Sequence, residues 1–281
     1  MKIIVSVNNK TEVDNYKKMG AYAFIFGLQN FSTMENTYTL EEIQKLSTDI
    51  EIFVNINKMI FNTELEELKH TLIELSNINI KGILFYDLAI LELVKELKLD
   101  IDLVWFNTHM VTNYNTCNYY FEKGVKYAII SSEITLEEII EIKNKSNITP
   151  MVQLIMHPVM AHSRRKLLTN FYKENNVSYD KKTHVITNKD VECLIKENEH
   201  GTIILNNQIQ NGSTVIKELL DNNFSYIIIS DENINEEIFQ KITFLLSKLI
   251  NNYDESTLKE IEGLIGNDTG FFFKKTIYKV K

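Results

Sequence analysis

The sequence predicts a TIM-barrel-like (β/α)8 fold, and three observations carry the prediction. Eight short apolar runs recur along the 281 residues. Each is nearly continuous in hydrophobicity rather than alternating, the pattern of a strand buried on both faces as in a parallel sheet. Between successive runs lie segments with helix-start signals and helical periodicity, so strand and helix alternate. An open doubly wound sheet is the alternative that the same alternation allows.

The runs are Ile3 to Val7, Tyr22 to Phe26, Ile50 to Ile56, Ile83 to Tyr86, Leu103 to Phe106, Tyr127 to Ile130, Met151 to Met156 and Tyr226 to Ile229. Gly20, Gly82 and Gly124 each follow a helix-like segment and precede a run, which predicts left-handed helix caps turning into strands. Asn222-Asn223 takes that place before the eighth run. Thr39 with Glu42, Thr63 with Glu66 and Thr135 with Glu138 have the spacing of capping boxes, in which Thr and Glu satisfy each other's free backbone N–H groups. Behind the second box, Leu65, Leu68, Leu72 and Leu75 recur at helical spacing and read as a core face.

Spacing stays regular through the seventh run. About seventy residues then separate Met156 from Tyr226, more than one βα loop and helix require. Within residues 1–281, read as one domain, residues 157–212 are therefore expected to leave the barrel as a loop and β-hairpin. The hairpin strands are expected on either side of Asp180-Lys-Lys182, between Val177 and Thr187. A last helix is expected over Glu236 to Asn251. In the C-terminal tail, Gly270-Phe-Phe-Phe273 is too apolar to be free and is expected to pack on the body or a partner.

A composition that is 44% hydrophobic and 24% charged is that of a globular protein with a large core. No apolar run reaches the length of a membrane span, and Met1-Lys-Ile-Ile-Val leads directly into a strand; a cytoplasmic protein with no membrane partner is expected. Cys117 and Cys193 have no metal-binding or CxxC spacing, so no disulfide, metal or cysteine-ligated cluster is expected. The net charge of −8 repels a polyanion overall, leaving RNA to be reached only indirectly or through a local basic patch. There is no GxSxG, HExxH, P-loop or GxGxxG after a strand.

The candidate site follows from one bias: of the 30 basic residues only Arg164 and Arg165 are arginines. In so lysine-rich a chain, adjacent guanidinium forks point to bidentate binding of carboxylate or phosphate. They lie after the seventh run, beside Ser163 and His157, where barrels commonly bind anions. The strand ends would bring Asn55, Asn57, Asp87, Asn107, His109, Ser132, Glu133, Gln153 and His157 to the same rim. From these, Arg164, Arg165, Ser163, His157, Asn107, Glu133, Asn57, Asp87 and Gln153 are the expected ligand-binding set. Ser163 beside His162 is not read as a nucleophile and base, since adjacent residues seldom face each other.

Taken together, Trp105-Phe-Asn-Thr-His-Met-Val-Thr-Asn113, the stretch Gly124 to Ile139 and Ser163-Arg-Arg-Lys-Leu-Leu-Thr-Asn170 resemble the collagenase-like (PrtC-type) bacterial peptidases, peptidase family U32. Glu199-His-Gly-Thr202 and Asp268 to Lys281 resemble the family's short members in low-GC Gram-positive bacteria. The resemblance runs nearly end to end. It implies a TIM-barrel-like body and a nominal peptidase (hydrolase) label. Other branches of the family act in tRNA or ribosomal RNA hydroxylation, some dependent on prephenate, or in oxygen-independent ubiquinone hydroxylation. Those branches typically hold an iron–sulfur cluster on four cysteines, some near a Ser-Gly-Arg-Cys segment that Ser163 to Lys166 matches. Here Arg164 and Lys166 stand where that segment has Gly and Cys. The resemblance therefore implies a cluster-free barrel that binds an anionic small molecule such as prephenate and acts in or assists RNA hydroxylation. A longer, cysteine-bearing paralogue is the implied partner. A genuine collagenase-like peptidase and a non-catalytic binding protein are the alternatives.

Overall fold

Each apolar run becomes a strand because both of its faces find something apolar to cover. In the computed structural model, which describes residues 1–8, 13–188 and 191–274, the chain begins with β1 (Lys2–Val7) and β2 (Ala21–Leu28), with the two-residue β3 (Thr37–Tyr38) paired at the end of β2. Next come β4 (Glu51–Ile56), β5 (Gly82–Phe85), β6 (Leu103–Trp105), β7 (Tyr127–Ile129) and β8 (Thr149–Met156). After an insertion, β14 (Tyr226–Ser230) completes the set. Strands β1, β2, β4, β5, β6, β7, β8 and β14 pair in parallel, and β1 bonds to both β2 and β14. The sheet is thus a closed eight-stranded barrel with no free edge, and all eight expected strands are present.

The barrel interior is filled by Ile4, Ile25, Phe53, Leu84, Val104, Ile129, Met151 and Ile228. The alternate side chains, such as Ile3, Val5, Phe24, Phe26, Val54 and Phe85, face outward against the helices. These helices are α1 (Val13–Lys18), α2 (Leu40–Leu46), α3 (Leu65–Leu75), α4 (Leu88–Glu96), α5 (Tyr114–Glu122), α6 (Leu136–Lys145), α8 (Ile216–Asp221), α9 (Glu236–Asn251) and α10 (Glu255–Ile265). Leu68, Leu72 and Leu75 of α3 are fully buried in this layer, as their spacing predicts. Thr39 and Thr135 close the expected capping boxes on α2 and α6.

Four local expectations need correction. Thr63 does not cap α3: Glu64 turns back to accept from the Phe61 N–H at 2.8 Å, so a 3-10 turn precedes the helix. Gly20 and Gly124 have positive φ, 105° and 93°, but Gly82 does not. Its lack of a side chain serves a close approach instead, since a Cβ there would lie 2.8 Å from the Asp102 carbonyl oxygen. Helix α10 was not expected; Asp254 starts it by accepting from the Thr257 N–H at 2.8 Å. Of the three tail phenylalanines only Phe272 is buried, while Phe271 and Phe273 are exposed. The tail from 275 to 281 lies outside the described residues.

The insertion carries β9 (Val159–Ser163), α7 (Leu167–Glu174), β10 (His184–Asn188), β11 (Val191–Asn198) and β12 (Gly201–Asn206). It forms its own antiparallel sheet, in the order β10-β11-β12-β9. The hairpin therefore lies beyond the expected place. Val177 to Asp180 is not a strand; Tyr179 instead stacks on Tyr172 of α7 at 5.2 Å. The first hairpin strand is β10, paired from His184↔Ile195 to Asn188↔Val191. Strand β13 (Gln210–Asn211) then returns antiparallel to the end of β8, with Gln210 opposite Met156.

Candidate functional site at the barrel mouth

A strand's alternation extends past its last core residue, so the mouth is written two and four residues after each interior position. From Ile4 this gives Ser6 and Asn8; from Phe53, Asn55 and Asn57; from Leu84, Tyr86; from Val104, Phe106 and Thr108; from Met151, Gln153; from Ile228, Ser230 and Glu232. All of these line one cavity of about 400 Å³, together with His109, Ile155, Met156 and His157. Its roof is the insertion, which contributes Val159, Met160, Ala161, His162 and Ile203. Ile25, Leu84, Ile129 and Ile228 form an apolar floor.

The polar wall is held in place by a hydrogen-bond network. Asn57 Oδ1 accepts from the Thr33 N–H at 2.8 Å and from Ser32 Oγ at 3.1 Å. Asn8 Nδ2 donates to Ser230 Oγ at 3.1 Å, and the Asn8 N–H donates to buried Asp231 at 2.5 Å. Gln153 Nε2 donates to the Ile130 carbonyl at 3.1 Å. His157, 5% exposed, has Nδ1 2.9 Å from the Asn206 carbonyl, which makes Nδ1 the donor. Burial lowers the His157 pKa despite that bond, and burial with the nearby Arg164 charge lowers that of His162. Both imidazoles are therefore neutral at pH 7.

Charged contacts on two sides hold the roof down, with Asn198 Nδ2 of β11 also donating to the Thr33 carbonyl at 3.2 Å. Lys196 on β11 reaches Glu232 after β14 and lies 3.4 Å from Glu35 after β2. On the other side, Arg164 donates to Glu64 at 3.3 Å and to the Met59 carbonyl, with its guanidinium 4.3 Å from the Phe61 ring centre. Lys58 joins the same carboxylate at 2.6 Å. Gly201, at φ 136°, lets the β11–β12 turn pass directly over the Ser163 backbone, where a Cβ would collide with the Ser163 carbonyl oxygen. That close approach is a physical reason for the glycine in Glu199-His-Gly-Thr202.

The structure brings Asn57, Gln153 and His157 of the expected set into the cavity wall and places the others elsewhere. Asp87 and Asn107 fall three residues after Leu84 and Val104, one step out of phase. Asp87 instead caps α4 through the Ala89 N–H and accepts from the Ile60 N–H, both at 3.0 Å. Glu133 sits at the outer rim, 3.3 Å from His109. Ser163 Oγ accepts from the Arg165 N–H at 3.1 Å. Arg164 is engaged as described, and Arg165 is exposed. Among the described residues no lysine or arginine lines the cavity, and Lys196 is paired with Glu232 of its wall. Sequence reasoning missed Ser6, Asn8, Ser230 and Glu232, although the period of two counted from Ile4 and Ile228 points to all four.

What this wall can do is hold a small molecule by amides, hydroxyls and neutral imidazoles above an apolar floor. Among the described residues, none of its hydroxyls is hydrogen-bonded to an imidazole, and Ser163 does not line the cavity while His162 does. Nor do three His, Cys, Asp or Glu side chains converge in a metal-binding group among the described residues. The chain's two cysteines, Cys117 buried in α5 and Cys193 on β11, do not fit a four-thiolate cluster. Among the described residues no helix is long and apolar enough to cross a membrane.

Comparison with known proteins agrees with this architecture. The chain is 25% identical to tRNA hydroxylation protein P2 of Bacillus subtilis (strain 168), over 99% of both chains. It is also 25% identical to tRNA hydroxylation protein P1 of the same strain, over 54% of this chain and 37% of that protein. Among solved structures, the U32 peptidase Mk0906 shares the fold with a TM-score of 0.51 at 12% identity, covering 82% of this chain and 92% of the other. The sequence model described as Peptidase family U32 matches residues 8–276. The chain belongs to peptidase family U32.

Proposed function

We propose that this protein acts in tRNA hydroxylation as a cluster-free barrel that binds a small molecule at its mouth, alongside a longer, cysteine-bearing paralogue. The end-to-end similarity to a relative named for tRNA hydroxylation supports the role. The partial match to the longer protein P1, which continues well beyond this chain's share, supports a paralogous partner. The observation that carries the reading is the roofed cavity: it is shaped to hold a ligand, yet its described wall has no nucleophile paired with a base and no thiolate set. A peptidase reading finds no hydrolytic pair in that wall.

A ligand in this cavity is recognised mainly by hydrogen bonds, since the wall offers Asn8, Asn55, Asn57, Gln153 and His157 and, among the described residues, no cation. Prephenate, other dicarboxylates, phosphates and uncharged analogues should be compared by thermal shift. The role itself is tested by deleting the gene and measuring tRNA nucleosides by mass spectrometry. Loss of a hydroxylated nucleoside, restored by the wild type but not by Ile203→Trp, which enlarges a side chain lining the roof, is the expected result. A deletion strain with unchanged tRNA nucleosides overturns the proposal.

A further inference from the structure

We propose that the outer face of the insertion, residues 163–187, is a tRNA-contacting surface. The proposal rests on the tRNA-hydroxylation reading above and names the surface through which that reading meets RNA. Charge is the first observation. This stretch holds six cations, Arg164, Arg165, Lys166, Lys173, Lys181 and Lys182, against two carboxylates, Glu174 and Asp180, a net charge of +4 within a chain of net charge −8. Arg164 is committed to Glu64, and Asp180 lies 2.9 Å from His184. The other five cations are exposed and form no ion pair with a described residue.

Aromatic surface among those cations is the second observation. Phe171 is 59% exposed and meets Tyr172 edge to face at 5.7 Å. Tyr172 stacks on Tyr179, and His184 closes the group 5.7 Å from Tyr172. Lysines beside an exposed ring suit single-stranded or looped RNA, whose phosphates take the charge and whose unstacked bases lie on the ring. The cores of protein interfaces are depleted in lysine, so the same composition fits a protein partner less well.

The third observation is position. Neighbouring residues of β12 face opposite ways: Thr202 accepts from the Leu167 N–H of α7 at 3.0 Å, whereas Ile203 lines the cavity roof. The cationic face and the ligand cavity are therefore two sides of one thin sheet. An RNA seated outside would bear on the element that closes the site.

The test measures binding of total cellular tRNA to the full-length protein by fluorescence anisotropy across a salt series. The triple variant Arg165→Glu, Lys166→Glu and Lys173→Glu is expected to weaken binding at least tenfold and to flatten its salt dependence. Phe171→Ala should weaken binding about tenfold with the salt dependence kept. Lys98→Glu, Lys217→Glu and Lys259→Glu together impose the same charge change on exposed body positions and should leave affinity within twofold. Equal losses in the two triple variants, or no binding by the wild type at low salt, overturn the proposal. So does unchanged tRNA affinity with loss of co-purification with the paralogue, which makes the face a protein interface. In the deletion strain, normal tRNA nucleosides sink the functional reading, whereas a nucleoside defect fully restored by the insertion triple variant sinks only this surface.

Discussion

Arg164 and Glu64, a hundred residues apart in the chain, meet at 3.3 Å and join the roof of the cavity to the start of α3. The fork is completed by the Met59 carbonyl and the Phe61 ring, so the guanidinium's plane is used on both its edge and its face. Arg164→Lys keeps the charge and loses both. A drop in stability of about 1–3 kcal/mol is expected from the lost charge-assisted bonds, read by denaturant titration. An unchanged midpoint would show that the roof is held without it.

The same cluster gives the protein an acid-sensitive joint. Burial works to raise the Glu64 pKa, but Lys58, the Phe61 N–H and Arg164 outweigh it and bring it down from 4.5 to about 2. Between those values the unfolded chain binds more protons than the folded one, so stability rises with pH there. The contribution is complete above about pH 4.5 and is lost as pH falls through about 2. In Glu64→Gln this part of the acid dependence should vanish from melting curves recorded over that window.

Lys196 is expected to be the costlier residue to remove. Burial works against its charge, yet Glu232 and Glu35 raise its pKa above the ordinary value. Lys196→Met leaves Glu232, whose side chain is 16% exposed, with no ion-pair partner among the described residues. A loss of about 3 kcal/mol is expected, partly recovered by adding Glu232→Gln. A double variant no more stable than the single one would refute the pairing.

The tail separates one anchoring ring from two free ones. Phe272 is 5% exposed, its carbonyl accepts from the Leu136 N–H at 3.0 Å, and Gly212 leaves room for its ring. Phe272→Ala should cost about 3–5 kcal/mol, and Phe271→Ala or Phe273→Ala less than about 0.5. Three equal melting-temperature shifts would contradict this division.

At Gly201 a methyl group is expected to do what a larger deletion would. Gly201→Ala forces the β11–β12 turn off the Ser163 backbone and should destabilise the roof by more than about 1 kcal/mol. Faster amide exchange confined to β9, β11 and β12 is the expected signature. Wild-type protection there would mean that the turn yields without cost.

The barrel was legible because continuous apolar runs such as Tyr226 to Ile229 and capping boxes such as Thr39 with Glu42 are local signals, and both were met. The site was legible only in part. Asn57 and Gln153 fall in phase with the interior residues of their strands, His157 comes after a register shift in β8 that the sequence does not announce, and Asp87 and Asn107 are one residue out of phase. Rarity singled out Arg164 as an anion-binding fork, but sequence carries no sign of whether its carboxylate partner is a ligand or Glu64, since the pairing depends on how the insertion folds back. The hairpin was misplaced for a similar reason: the stacking of Tyr179 on Tyr172 of α7 depends on how the insertion folds and leaves no local signal in the sequence.

The insertion leaves after Met156 and returns at Gln210, residues that face each other across the β8–β13 ladder. A segment whose two ends already touch asks nothing of the barrel's span, because closing it requires no change in where β14 begins. Its length and chemistry are thereby uncoupled from the scaffold. A transplanted insertion from a relative would need to reproduce a few anchor points, at Glu64, Glu232 and the Thr33 carbonyl, for the same barrel to acquire a different cover.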